Sequence, residues 1–148
     1  MSARHVRGAW DEGSFFAEMR RKHGAEFEGI ARTLYGWADQ NLPEIRWGRG
    51  QTDATFYVAL AGKTIFGVET RDEGIVYVRL ENIVSLIPFR EGEKRSELFR
   101  RMEAIRRSHT PERYAFLPVA MDALKGHQAM QEFSEFLRWI AQEIQASR

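Results

Sequence analysis

Two carboxylates and a guanidinium are spaced as a metal-dependent nuclease would need them. Asp53 is followed sixteen residues later by Glu69-Thr70-Arg71, at the end of an apolar run. In enzymes with an acid…acid-x-cation arrangement, two carboxylates hold Mg²⁺ through oxygen and a cation steadies the attacking water. This chain departs from that chemistry at two points. Arg71 fills the position of the expected Lys, and a guanidinium does not give up a proton near neutral pH. Gln51-Thr52 stand before Asp53, where a further acid belongs. The sequence favours a plainer reading: Asp53 is a turn residue, and Glu69 and Arg71 are exposed charges at a strand end. On that reading the two carboxylates do not meet, no catalytic residue is assigned, and a divergent or degenerate nuclease is the alternative.

Other catalytic constellations are missing. The four histidines, at 5, 23, 109 and 127, show no i, i+4 ligand spacing, so no metal is expected. His23 falls on an apolar helix face and reads as a hydrogen-bonded boundary residue. His109 and His127 fall near helix ends, where the helix dipole can favour a cation. No Gly-x-Ser-x-Gly elbow or phosphate-binding glycine loop occurs, and Gly48-Arg49-Gly50 is too short to count as one. No cofactor is expected. Zero cysteines exclude disulfides, iron–sulfur clusters, thiolate zinc sites and a cysteine nucleophile.

Binding chemistry is better represented. Residues 93–107 hold six Lys or Arg (Lys94, Arg95, Arg100, Arg101, Arg106 and Arg107) against Glu93, Glu97 and Glu103, a local net charge of +3. Arg20-Arg21-Lys22 is a second cluster. Trp47 lies between Arg46 and Arg49, an aromatic able to stack beside cations. Together these residues could follow a phosphate backbone. The competing reading is a solvated helix face, since Glu97–Arg101 and Glu103–Arg107 are i, i+4 pairs in the favourable order. Self-association is a third option: Phe136 and Trp139 widen the apolar arc of the last helix, and an exposed apolar patch usually marks an interface.

The elements that must position these residues follow from periodicity. Phe16, Met19, His23, Phe27, Ile30, Leu34 and Ala38 form one stripe on a helix over about 14–40. Ser14 is its expected N-cap, Gly24 a bend, and Asn41-Leu42-Pro43 its end. Residues 45–49 are a short strand candidate. Thr55–Ala61, Thr64–Thr70 and Ile75–Leu80 read as strands joined by Gly62-Lys63, a type II′ turn, and by Arg71–Gly74. Links this short force antiparallel pairing. Alternation puts Phe56, Val58 and Leu60 on one face and Thr55, Tyr57 and Ala59 on the other. Helical pattern resumes at Asn82–Leu86 and Glu93–Arg107. Residues 108–118 read as a loop and 119–124 as a short helix. The last helix, about 127–146, carries Met130, Phe133, Leu137, Ile140 and Ile144 as its stripe.

The expected fold is therefore α+β: a single domain over 14–148, preceded by a flexible arm over 1–13 with Trp10 as its candidate anchor. A small antiparallel meander of three or four strands is packed by a long N-terminal helix and by C-terminal helices. The 148 residues, 43% apolar and 29% charged, suit one ordinary domain. A net charge of +1 excludes an overall basic bias but not a basic face. No secretory leader follows Met1–Arg7, no charge-free run approaches the roughly 20 residues a membrane span needs, and the cytoplasm is the default expectation.

From Ser14 onward the chain resembles an uncharacterised bacterial domain family. The carrying residues are Trp47-Gly48, the aromatic-rich strand pair, Ile87-Pro88-Phe89, Lys94–Leu98, Arg101–Ile105, Leu117-Pro118, and Phe133–Ile144 with Trp139-Ile140. Domains of that family occur alone or joined to nuclease-like modules, and the resemblance implies no assigned activity. The expected function is a non-enzymatic interaction or accessory module, acting near nucleic acid through the basic helix.

Overall fold

A computed structural model of the chain describes residues 9–42, 44–50, 52–72, 74–109 and 117–147, with backbone alone at 106–109 and 117–118. Five strands, β1 (Glu44–Trp47), β2 (Thr55–Leu60), β3 (Lys63–Glu69), β4 (Ile75–Val78) and β5 (Leu117–Ala120), form one sheet. Their spatial order is their chain order, and every neighbouring pair is antiparallel. The helices are α1 (Glu12–His23), α2 (Ala25–Asn41), α3 (Leu80–Ile83), α4 (Gly92–His109) and α5 (His127–Ala146). Short 3-10 turns occupy Ile87–Phe89 and Met121–Leu124. The fold is α+β, as expected, with one strand more than the three or four anticipated. Among the described residues no helix is long and apolar enough to cross a membrane.

The N-terminal helix begins earlier than its pattern suggested, and it is two helices. Asp11, not Ser14, is the N-cap: the Ser14 N–H donates to Asp11 Oδ1 at 2.8 Å, and the Asp11 N–H donates back to Ser14 Oγ at 3.0 Å. Each side chain satisfies a backbone donor that the first turn leaves open. Gly24 then ends α1 and starts α2, at φ 95° and ψ 174°. That backbone region is essentially closed to residues with a Cβ, so the chain changes direction here instead of bending. Glu28 fastens the two helices, pairing with Arg20 at 3.1 Å and Arg32 at 2.9 Å.

The β2–β3 hairpin turns on Ala61 and Gly62, one residue earlier than expected. Both have positive φ, 55° and 79°, which is the type I′ geometry matching the right-handed twist of paired strands. The fifth strand lies where a loop and the start of a short helix were expected. Leu117–Ala120 pairs with β4, with Val119 opposite Val76.

One face of the sheet carries the core. Phe56, Val58, Phe66, Val68, Val76, Val78 and Val119 are buried there. Phe15 of α1 meets Phe56 edge-to-face at 5.1 Å, and Tyr35 of α2 does so at 5.5 Å. The apolar stripe of α5 is buried at Phe133, Leu137, Ile140 and Ile144 and half-buried at Met130, and α5 packs on α2. Trp10 lies outside the expected domain boundary but belongs to this core, with 1% of its surface exposed. Residues 1–8 of the expected arm lie outside the described residues.

Candidate functional site

The acidic candidates share one corner of the sheet. Glu69 ends β3 opposite Thr55. Beyond that pair, the Thr70 N–H donates to the Ala54 carbonyl at 3.0 Å and the Ala54 N–H to Thr70 Oγ1 at 2.9 Å. This brings Asp53 and Arg71 alongside. Asp53 Oδ1 is 3.2 Å from Lys22 Nζ, on the last turn of α1. Glu69 Oε1 is 3.4 Å from Arg71 Nε. Arg71 also donates to the Tyr77 hydroxyl and lies 5.5 Å over that ring. His23 Nε2 approaches the Thr70 carbonyl at 2.7 Å, the boundary role expected of it.

Burial raises the Glu69 carboxyl above its ordinary value; Arg71 opposes the rise, and the charge of Asp53 adds to it. Glu69 in turn raises the Arg71 guanidinium further. The charge of Asp53 thus reaches Glu69, but each carboxylate is bridged to its own cation. Among the described residues no group of three or more His, Asp or Glu side chains is placed to hold a metal ion. Lys22, read from the sequence only as part of the Arg20-Arg21-Lys22 cluster, and Tyr77, which the sequence does not single out, complete this corner. Spacing gives no hint of an ion pair 31 residues apart.

The basic helix is partly neutralised. Lys94 reaches Glu143 of α5 at 2.9 Å. Arg95 donates to the carbonyls of Phe89 and Arg90 at 3.3 Å and lies 5.2 Å over the Phe99 ring. Glu97 pairs with both Arg100 and Arg101, accepting from Arg101 Nε at 2.6 Å. Arg106 and Arg107 lie on α4, and their side chains fall outside the described residues. Trp47 is not part of this surface. It sits half-buried against Phe15, Tyr35 and Phe56, on β1 at one edge of the sheet, while α4 packs beside β5 at the other. Arg49 is exposed beyond that same β1 edge. Among the described residues, no single strip therefore joins Trp47 and Arg49 to the cations of α4. His127 opens α5, the helix end where the dipole disfavours a cation, contrary to the sequence reading.

The apolar pair on α5 is largely covered within its own chain. Phe136 is 3% exposed. Trp139 is half-buried, 5.4 Å from the Phe89 ring and beneath Arg101. A hollow of about 350 Å³ beside Phe136, between α4 and α5, is lined by Arg101, Ala104, Ile105, Glu132 and Glu135. The condition for a dimer across α5, both rings exposed together, is not met.

No protein family, curated protein or solved structure matches the chain.

Proposed function

We propose that this protein is a non-enzymatic interaction module that binds a nucleic-acid backbone along α4, in the cytoplasm. One observation carries the reading: Glu97 is shared between Arg100 and Arg101. One carboxylate against two guanidiniums leaves a net positive charge, and the Arg100 side chain is 70% exposed. Each guanidinium has five N–H donors, so donors remain for phosphate oxygens after Glu97 is satisfied.

Binding of single- and double-stranded DNA and RNA to the purified protein, followed over a salt series, tests this. Neutralised phosphates release counterions, so affinity should fall linearly on a log–log plot, with about 0.7–0.9 unit of slope per phosphate contacted. Arg100→Glu is the discriminating variant, because among the described residues Arg100 packs on no ring or carbonyl and loses only its exposed pair with Glu97, so its reversal should leave the melting temperature nearly unchanged. Loss of binding is the expected result; salt-independent binding, or none at low salt, refutes the reading.

The placement of Asp53 and Glu69 at one corner of the sheet favours a second reading, a divergent metal-dependent nuclease at that corner. Mg²⁺-dependent cleavage abolished by Glu69→Gln would establish it; cleavage that survives the substitution, or none, would dismiss it.

A further inference from the structure

The two edges of the sheet are finished differently. On β5 the strand carries Pro118, which has no N–H to offer a neighbour, and α4 packs beside it. On β1, α2 touches the strand, but Glu44–Trp47 contains no proline, and among the described residues only the Trp10 N–H bonds along that edge, reaching Gly48, past the end of the strand, at 2.9 Å. The Gly48 N–H donates inward to the Thr55 carbonyl at 2.8 Å. Amide groups alternate in direction along a strand, so those of Arg46 and Glu44 also turn toward β2, and those of Ile45 and Trp47 turn outward. Among the described residues, β1 therefore presents an open edge of backbone groups centred on Ile45.

The side chains around that centre are self-complementary. Glu44 and Arg46 lie on the face of the sheet away from Phe15 and Phe56, both exposed, and bond to each other at 2.7 Å along the strand. Ile45, between them, is half-buried. A two-fold axis at Ile45 would set an antiparallel second copy so that the two Ile45 residues exchange backbone hydrogen bonds. Each Glu44 would then face Arg46 of the second copy, in the closely spaced kind of pair where side chains touch. The neighbouring registers lack this match. Centring the axis on Glu44 opposes two carboxylates, and centring it on Arg46 opposes two guanidiniums, both unfavourable.

We propose that β1 pairs with β1 of a second copy of this chain about an axis at Ile45, joining the two sheets edge to edge. The contact is isologous, as a two-fold dimer requires. A four-residue edge is below the standard interface size, so a dissociation constant of roughly 10–100 μM is expected.

Sedimentation equilibrium over a concentration series at low salt tests the proposal, with far-UV circular dichroism confirming the fold of each variant. Wild type should dimerise in that range. Arg46→Glu opposes like charges across the axis and should weaken the dimer by about tenfold or more. The double exchange Glu44→Arg/Arg46→Glu restores opposite charges and should return the affinity to within about threefold of wild type. Arg100→Glu, on the opposite side of the molecule, should leave dimerisation unchanged, which separates this result from the fate of the nucleic-acid reading. A wild type that stays monomeric throughout, a dimer indifferent to Arg46→Glu, or a double exchange that fails to restore association would overturn the proposal.

Discussion

The guanidinium carbon of Arg101 lies 4.4 Å from the centre of the Trp139 ring, while its Nε donates to Glu97 at 2.6 Å. Their positions along the chain suggest different tasks, phosphate binding for Arg101 and self-association for Trp139. In the fold they hold each other, and with them α4 against α5. A guanidinium over an indole face is held by the ring quadrupole, and its planar surface also shields the ring from water.

Trp139→Ala should therefore destabilise the monomer by about 2 kcal/mol, below the range for a fully buried tryptophan because Trp139 is half-exposed. In a double-mutant cycle with Arg101→Ala, urea unfolding should return a coupling of about 0.5–2 kcal/mol. A coupling of zero would mean that the stacking contributes nothing, and a loss of stability near zero for Trp139→Ala would mean that the ring is not packed as described.

Glu69 makes stability depend on pH with a definite sign. Burial, aided by the charges of Asp53 and Asp72 and opposed by Arg71, raises its carboxyl above the ordinary value. The folded chain then keeps this proton to a higher pH than the unfolded chain. The associated stability is complete below the unfolded carboxyl value, about 4.3, and is lost as pH rises through the folded one. Glu69→Gln cannot titrate. The difference in melting temperature, variant minus wild type, should become more positive from pH 4 to pH 7. A difference constant across that range, or one moving the other way, contradicts the assignment. Asp53→Asn should lower the Glu69 titration midpoint followed by carboxyl NMR, because it removes one of the charges that raise it.

The parts of the fold that were legible from sequence were those written in local period. The helical stripe of α5 marks a buried face and burial follows it; alternation over Thr55–Leu60 correctly places Phe56, Val58 and Leu60 inward, but Thr55 and Ala59 on the other face are buried as well. β5 was not legible. Leu117-Pro118-Val119-Ala120 is short, contains a proline, and pairs with a strand some forty residues earlier. Nothing local distinguishes that from a loop, because the partner supplies the pattern. The candidate site divides in the same way. That Arg71 neutralises Glu69 could be anticipated at i, i+2. The pairing of Lys22 with Asp53, and of Arg101 with Trp139, depends on how α1 and α5 are placed, which spacing along the chain does not encode. Trp47 misled for a related reason: cationic neighbours suggested a stacking surface, while strand alternation turned the ring toward the core.

Glycine substitutions separate backbone need from helix propensity. A Cβ at Gly24 would meet nothing within 4 Å, so only its backbone, at φ 95°, resists a side chain. Gly24→Ala should cost about 1–3 kcal/mol. Gly29 and Gly36 also have nothing within 4 Å but lie inside α2. There alanine should stabilise by about 0.5–1 kcal/mol each. Thermal unfolding of the three single variants checks the opposite signs. A neutral or stabilising Gly24→Ala would mean that α1 and α2 can join as one continuous helix.

Trp10 tests where the domain begins. If the first thirteen residues were a loose arm, replacing Trp10 would change little. Its ring is instead buried, its N–H reaches the Gly48 carbonyl at 2.9 Å, and its Nε1 donates to the Gly50 carbonyl at 2.7 Å. These bonds tie the entry of α1 to the exit of β1. The 48–50 turn has little room to rearrange, since a Cβ at Gly50 would stand 2.9 Å from the Asp53 carbonyl oxygen. Trp10→Ala removes the ring and both of its roles, and should cost about 3–5 kcal/mol. Trp10→Phe keeps most of the apolar volume and loses the Nε1 donor, so about 1 kcal/mol of its larger loss belongs to that bond. Denaturant unfolding of both variants distinguishes ring from donor. Changes below about 0.5 kcal/mol in both, the range of ordinary surface substitutions, would return Trp10 to the arm.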